Sequence, residues 1–142
     1  MFLSLRQVKK QMEFVAFGIV SASLGGMLFF GAIIAPLLFS RLSEADSGGF
    51  VRAMFPRYYL VFGIASLAAA IFTALDGAVV SAIILFLIFL GFAIARQILM
   101  PAINRARDNG DEIRFELLHK GSVYLNAVQL VGFIATLFMI AR

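Results

Sequence analysis

The stretch that decides the fold is YYLVFGIASLAAAIFTALDGAVVSAIILFLIFLGFAIA, residues 58–95, in which Asp76 is the single charged residue. On either side of Asp76 lie uncharged runs of 18 and 19 residues, 58–75 and 77–95. A helix needs about 20 apolar residues to cross a hydrocarbon core of about 30 Å. Because Asp76 leaves room only for a tight turn, the two runs are predicted to form an antiparallel helical hairpin in a membrane.

Two further uncharged runs flank this hairpin, at residues 14–39 and 121–141. The chain of 142 residues is 62% hydrophobic and 14% charged, whereas soluble domains carry about 45–50% apolar and about 25% charged residues. A soluble globule of this size could not bury so much apolar surface. We therefore predict a single all-α domain over residues 1–142, an integral membrane four-helix bundle with a protruding hairpin between helices three and four.

The first run admits a second interpretation, as a signal peptide. Arg6, Lys9 and Lys10 resemble the charged region of such a peptide, and Ser21-Ala22-Ser23 resembles its cleavage site. The apolar run nevertheless continues for 16 residues beyond Ser23, so we expect a retained first span.

The distribution of cations predicts the orientation. If all four spans cross, the side that holds both termini carries four Lys and Arg residues, and the other side carries eight. The positive-inside rule then places residues 40–57 and 96–120 in the cytoplasm, with the plasma (inner) membrane as the expected location. Lys9 and Lys10, directly before the first span, argue locally for the opposite orientation. The expected partners are the lipid bilayer and anionic lipid headgroups, with no nucleic acid.

Small side chains at steps of three or four predict the faces through which the spans pack. Lipid tails give helices no hydrophobic reason to associate, so close backbone approach at small residues carries the packing. The predicted helix-packing seam comprises Gly18, Ala22, Gly25, Gly26, Gly63 and Ser66.

Residues 40–57 are predicted to be a loop with an interfacial segment. Pro36 should kink or end the first helix, and residues 42–49, rich in Ser, Gly and acids, are typical of a loop. Residues 50–57 alternate apolar side chains with Arg52 and Arg57, which indicates a short amphipathic segment in the membrane interface. The structural prolines are Pro36, Pro56 and Pro101.

Residues 96–120 are predicted to form an extramembrane hairpin. Asn109-Gly110 is a strong turn dipeptide, and the Asp111 side chain can cap the helix that follows. Helix three should therefore continue past Pro101, turn, and return as helix four. In that register Arg107 would meet Glu112, Arg105 would reach Glu116, and Met100 would face His119.

A polar stripe on the fourth span gives the candidate site. His119, Ser122, Asn126, Gln129 and Thr136 fall within one arc of the helix, and polar groups in hydrocarbon usually face the bundle interior or a wet cavity. The stripe fits interhelical hydrogen bonding. The alternative, which the stripe alone favours less, is a small polar pocket near one membrane face, for which the candidate residues are Arg96, His119, Ser122, Asn126 and Gln129.

Little in the sequence indicates chemistry. The chain lacks cysteine and has one histidine, so no cluster of metal ligands is expected and no metal site is predicted. No catalytic arrangement of residues is present, and we expect a non-enzymatic protein without a cofactor. His119, with Met100 opposite it, leaves haem binding as a minor alternative.

Several short motifs resemble the transmembrane protein 205-like family. They are Gly25-Gly26 with Phe29-Phe30, Ala35-Pro36, Met54-Phe55-Pro56-Arg57-Tyr58-Tyr59, Ala95-Arg96 with Pro101, and Phe115, His119, Gly121-Ser122 and Asn126. The chain departs in detail, since Lys120 separates His119 from Gly121 and the hairpin is shorter than in larger members. The resemblance implies a four-span membrane protein of poorly defined activity, and it singles out Arg96, His119, Ser122 and Asn126.

Three functions remain open at this point. The leading hypothesis is an accessory or scaffold protein that associates with itself or with another membrane protein through its helix faces. The second is a small-solute or ion transporter, or a ligand-binding bundle, that uses the polar pocket. The third is a haem- or porphyrin-binding membrane protein that uses His119.

Overall fold

Four long helices make up the protein in the computed structural model, which describes residues 2–142 and the side chains from Ser4 onward. Helix α1 runs through Phe2–Phe29, a π-helical turn at Phe30–Ile34, and Ala35–Arg41. Helix α2 spans Glu44–Asp76. Helix α3 runs through Val79–Ile94, a π-helical turn at Ala95–Leu99, and Met100–Asp108, and α4 spans Glu112–Ile140. All four are long and apolar enough to cross a membrane, which confirms the predicted all-α bundle.

The helices form a closed ring in which each contacts its two neighbours. Helix α2 packs between α1 and α3, and α4 packs between α3 and α1. In the described part of the chain the backbones of the diagonal pairs, α1 with α3 and α2 with α4, do not approach each other. The core between the four helices is filled by large buried rings and aliphatic side chains, among them Phe92, Phe133 and Leu85.

Two tight turns join α2 to α3 and α3 to α4. Gly77 has a φ of 90° and closes α2, with the amide of Ala78 donating to the carbonyl of Thr73. Glycine occupies this position because only glycine adopts this conformation without a steric penalty. In the second turn Asp111 Oδ1 accepts from the Arg114 amide at 3.0 Å, as the sequence predicted.

The loop predicted at residues 40–57 is wrong from Glu44 onward, because α2 begins there. The Ser43 side chain caps the helix by accepting from the Asp46 amide at 3.1 Å, and the acids of the first turn favour the positive end of the helix dipole. Gly48 lies within this helix, and its missing side chain leaves room for Arg107, since a Cβ there would lie 2.9 Å from the guanidinium. Pro56 lies inside the helix.

Both remaining prolines follow a π-helical turn. Pro36 and Pro101 each lie two residues beyond such a turn, and the amides of Ala35 and Met100 donate to carbonyls five residues back. A proline has no amide hydrogen, and its ring collides with the preceding turn of an α-helix. The wider turn accommodates that ring, so the helix continues past Pro36, where the sequence predicted a kink or an end.

The helices are longer than a bilayer is thick. Helix α2 has 33 residues, or about 50 Å at 1.5 Å per residue, against a hydrocarbon core of about 30 Å. In α2 and α3 the end with the Gly77 turn has one charged residue, Asp76, whereas the opposite end, beside Arg41, Glu44 and the α3–α4 turn, has many. The surplus of about 20 Å therefore lies at this second end, called the charged end below.

The predicted seam is only partly formed. A Cβ on Gly26 would lie 3.1 Å from the Phe62 ring, one on Gly63 would lie 3.4 Å from Phe92, and Ser66 is fully buried. The prediction is wrong within the chain for three other members, which are exposed on the outer face of α1: Gly18, Ala22 and Gly25. The inner face of α1 is instead formed by Ala16, Val20, Ser23 and Met27.

Replacing Gly77 by alanine tests the turn between α2 and α3. A residue with a side chain loses about 1–2 kcal/mol in the left-handed conformation, so Gly77→Ala should lower the free energy of unfolding, measured by detergent titration, by about that amount. Gly121→Ala is the control, because Gly121 lies inside α4 with open space around it. It should raise stability by about 0.5–1 kcal/mol through helix propensity. Equal effects of the two variants would contradict this account of the turn.

Candidate functional site

A cavity of about 460 Å³ lies at the charged end, between all four helices. Its volume falls in the range of ligand pockets, about 300–1,000 Å³. Each helix supplies part of an apolar wall: Leu38 from α1, Phe55 from α2, Met100 from α3 and Phe115 from α4. Polar and charged groups occur among these apolar side chains at a few places, so the cavity is amphipathic.

Aromatic rings hold one wall of the cavity in place. The ring of Phe30 lies 5.8 Å from that of Phe55 and 5.4 Å from that of Tyr58, measured between centroids. The ring of Tyr59 packs 5.4 Å from Phe55 and 6.2 Å from the fully buried Phe92. Such contacts add about 0.5–1.5 kcal/mol per pair beyond burial, so this wall is rigid.

Three of the predicted site residues on α4 line the cavity together: His119, Ser122 and Asn126. The Ser122 hydroxyl donates to the His119 carbonyl at 2.7 Å, and Asn126 Nδ2 donates to the Ser122 carbonyl at 3.3 Å. Asn126 Oδ1 is buried and has no hydrogen-bond donor. The Tyr59 hydroxyl lies beside this carboxamide. Asn126 therefore forms part of the cavity wall, with its Oδ1 buried behind the surface of that wall.

Arg107 forms the basic part of the wall. Its guanidinium carbon lies 5.4 Å from the centre of the Phe115 ring, and its nitrogen atoms lie against the backbone of Gly48. The ring of His119 stacks on Phe115 at 5.8 Å with an interplanar angle of 5°. Glu44 approaches Arg107 at 4.0 Å, but its side chain is 96% exposed.

The hairpin charges do not pair as predicted. Arg107 reaches Glu44 of α2 and not Glu112, and Glu116 pairs with Lys120 at 2.7 Å instead of with Arg105. A second bridge to α2 joins Arg52 and Asp108 at 2.6 Å. The α3–α4 hairpin is thus tied to α2, whose continuous helix brings Glu44 and Arg52 alongside it.

Two of the predicted site residues lie outside the cavity. Arg96 Nε donates to the Pro56 carbonyl at 3.1 Å, in the turn of α2 where proline removes an amide. Gln129 is buried deeper in the bundle and donates through Nε2 to the Ile88 carbonyl at 3.2 Å. It approaches so closely because Gly91 has no side chain, since a Cβ there would lie 2.8 Å from Nε2. These two residues join helices and do not contact the cavity.

The cavity is open to the side, between α1 and α4. Both segments are fully described, and no Cα atom of Phe30–Ile34 or Ala35–Arg41 lies within 8 Å of one in α4, although the earlier part of α1 packs against α4. Phe39 and Val123 line the cavity from α1 and α4 with side chains 59% and 56% exposed. The upper part of α1 therefore leaves a lateral gap.

Sequence reasoning missed the half of the cavity that α2 forms. Glu44, Gly48, Arg52, Phe55 and Tyr59 follow steps of three or four along one helical face. That periodicity was present in the sequence, but the Ser and Gly content of residues 42–49 indicated a loop. The sequence singled out Phe115 only as part of the family resemblance, and Arg107 only as a charge of the hairpin.

These features define a class of protein: a small bundle of four helices that can cross a membrane, with a ligand-sized amphipathic cavity at its charged end. Within that class, the chain belongs to the family described as a domain of unknown function, DUF4149, which matches residues 18–112. The match covers most of α1 and all of α2 and α3, and it ends at the first residue of α4. No curated protein and no solved structure is significantly similar to the chain.

A double-mutant cycle tests the contact between Gln129 and Gly91. Gly91→Ala should destabilise the protein because the new Cβ displaces Nε2 and breaks the bond to Ile88. In a Gln129→Ala background the same substitution should cost about 0.5–1 kcal/mol less, since neighbouring residues couple by about 0.5–3 kcal/mol. The free energy of unfolding in mixed micelles is the measurement. Additive effects would show that Gln129 does not depend on Gly91.

Proposed function

We propose that the protein binds a small amphipathic molecule in the cavity at its charged end, as a non-enzymatic membrane binding protein. The observation that carries the proposal is the cavity itself, about 460 Å³ with walls from all four helices. Pockets of this size with mostly apolar walls and a few placed polar groups are the usual form of a small-molecule site. This corresponds to the ligand-binding form of the second hypothesis drawn from the sequence.

The polar groups of the cavity support an amphipathic ligand. His119, Ser122 and Asn126 bring polar groups to one part of a mostly apolar lining, and such an arrangement favours a ligand with one polar end. The apolar wall around Phe55 and Met100 would cover the rest of the molecule. No nucleophile with an adjacent base lines the cavity, so binding accounts for these groups better than catalysis does.

The location also supports a ligand drawn from the membrane. About 20 residues of α2, counted from the Gly77 turn toward Glu44, would fill the hydrocarbon core. Tyr59 would then lie near the boundary of that core, and Ser47 would lie beyond the boundary. The lateral gap then opens at the level of the lipid headgroups. Three further parts of the proposal rest on the sequence alone. They are the cytoplasmic orientation of this end, the location in the plasma (inner) membrane, and the relationship with the transmembrane protein 205-like family.

Two alternatives from the sequence keep their own tests. An accessory role predicts a stable partner, either a second copy or another membrane protein, in affinity capture with mild detergent. Haem binding is favoured only by the presence of Met100 and His119 in the same cavity. It predicts a Soret band after haem is added to the purified protein, and a band that persists in His119→Ala would contradict ligation by this histidine.

A cavity-filling substitution tests the proposed function. Ala35 lines the cavity, whereas Ala32 lies on the exposed face of the same helix. Ala35→Phe should reduce ligand entry several-fold, because the phenyl ring would occupy part of the cavity that Ala35 lines, and Ala32→Phe should not. The probe is hexadecanol with a photoreactive diazirine, incorporated into phosphatidylcholine liposomes that contain the protein.

The measurement is the share of cross-links at cavity residues, read by mass spectrometry of peptides. Cross-links at Val51 and Met100 are expected in the wild-type protein and in Ala32→Phe, and they should fall in Ala35→Phe. Labelling at lipid-facing Val79 and Ile83, both more than half exposed, provides the internal reference. Labelling confined to such lipid-facing positions would refute the proposed function.

A further inference from the structure

The side chain of Arg107 places a positive charge at the cavity wall. Its guanidinium lies between the Gly48 backbone and the Phe115 ring, and these contacts restrict a side chain that is otherwise 39% exposed. An arginine fixed in this way loses less entropy when it forms hydrogen bonds, and its planar donor group matches the oxygens of a carboxylate or a phosphate.

The charge of Arg107 is weakly compensated. Arg52, the other arginine of the cavity, is neutralised by Asp108 at 2.6 Å. Glu44, by contrast, lies at the 4.0 Å limit from Arg107 with a side chain 96% exposed, and exposed pairs of that kind contribute little in salt. Arg107 is thus the cation of the cavity that an incoming anion can reach at the lowest cost.

The shape of the cavity indicates what the anion is attached to. Between Arg107 and the lateral gap at Phe39 and Val123 the cavity lining is mostly apolar. A free small anion would leave that apolar wall uncovered. A molecule with one acidic end and one apolar chain satisfies both ends of the cavity.

We propose that the ligand is a single-chain lipid with an oxyanion headgroup, a carboxylate or a phosphate, whose charge binds Arg107 while its chain lies toward the gap between α1 and α4. This inference rests on the proposed function. Gly48 and Phe115 are positioning residues, since they act through Arg107.

Competition in liposomes tests the headgroup. The photoreactive hexadecanol is displaced from the cavity with three molecules of equal chain length: palmitic acid, hexadecyl phosphate and hexadecanol, in neutral phosphatidylcholine at about pH 8, where the acids are charged. The two acids should displace it at concentrations about tenfold lower than hexadecanol, because hydrogen bonds to charged groups contribute about 1.5–3 kcal/mol and 1.4 kcal/mol is tenfold.

Two pairs of variants locate the effect. Arg107→Gln should abolish the preference for acids, and Arg105→Gln, on the same helix but outside the cavity, should preserve it. Gly48→Ala should weaken the preference with the charge intact, because its Cβ would lie 2.9 Å from an Arg107 nitrogen, whereas Gly49 has open space. Gly49→Ala is therefore the matched control, and the glycine pair decides the question if Arg107→Gln fails to fold.

Any other result of the competition experiment refutes one identifiable part of the proposal. Equal competition by hexadecanol and the acids in the wild-type protein would refute the acidic headgroup and leave the proposed function standing. Absence of cavity cross-links with any probe would refute both. Sodium acetate or inorganic phosphate competing at the same concentrations as palmitic acid would refute a lipid ligand. A preference that survives in both Arg107→Gln and Gly48→Ala would refute the role of Arg107.

Discussion

Hydrocarbon offers no hydrogen-bond partner to a peptide group, so each backbone amide and carbonyl within the bilayer has to be satisfied inside its own helix. This constraint makes long continuous helices the only economical form for the uncharged runs of the chain. It also explains how the prolines are tolerated. The π-helical turns before Pro36 and Pro101 keep the helix continuous, and Arg96 donates to a carbonyl of the turn that contains Pro56.

The site follows from the surplus length of those helices. Because α2 extends well beyond a hydrocarbon core, its first turns stand beside the α3–α4 hairpin instead of ending at the membrane surface. There the helices are tied together by charged groups such as Arg52 and Asp108, and α1 diverges from α4. A cavity forms where close small-residue packing gives way to larger aromatic and charged side chains.

The sequence was sufficient to predict the four helices and the turn at Asn109-Gly110, because both depend on local composition and on the thickness of a bilayer. It was insufficient for α2 before Pro56, since glycine and serine indicate a loop unless a distant side chain needs the space. Arg107 needs it at Gly48, 59 residues earlier in the chain. The inner face of α1 was also missed, because lipid and core are both apolar and periodicity alone does not distinguish Ala16 and Val20 from Gly18 and Ala22.

The π-helical turn in α1 separates the part of the helix that packs in the bundle core from the part that lines the cavity. Such a turn amounts to one extra residue in an α-helix, and an α-helix rotates by about 100° per residue. The direction in which Ala35 and Leu38 point is thereby set independently of the direction of Val20 and Met27 below. Removal of a single residue at Phe30–Ile34 would turn the upper segment away from the cavity while the membrane-embedded part kept its register. Related chains can thus reshape the cavity by insertion or deletion at this turn without repacking the core.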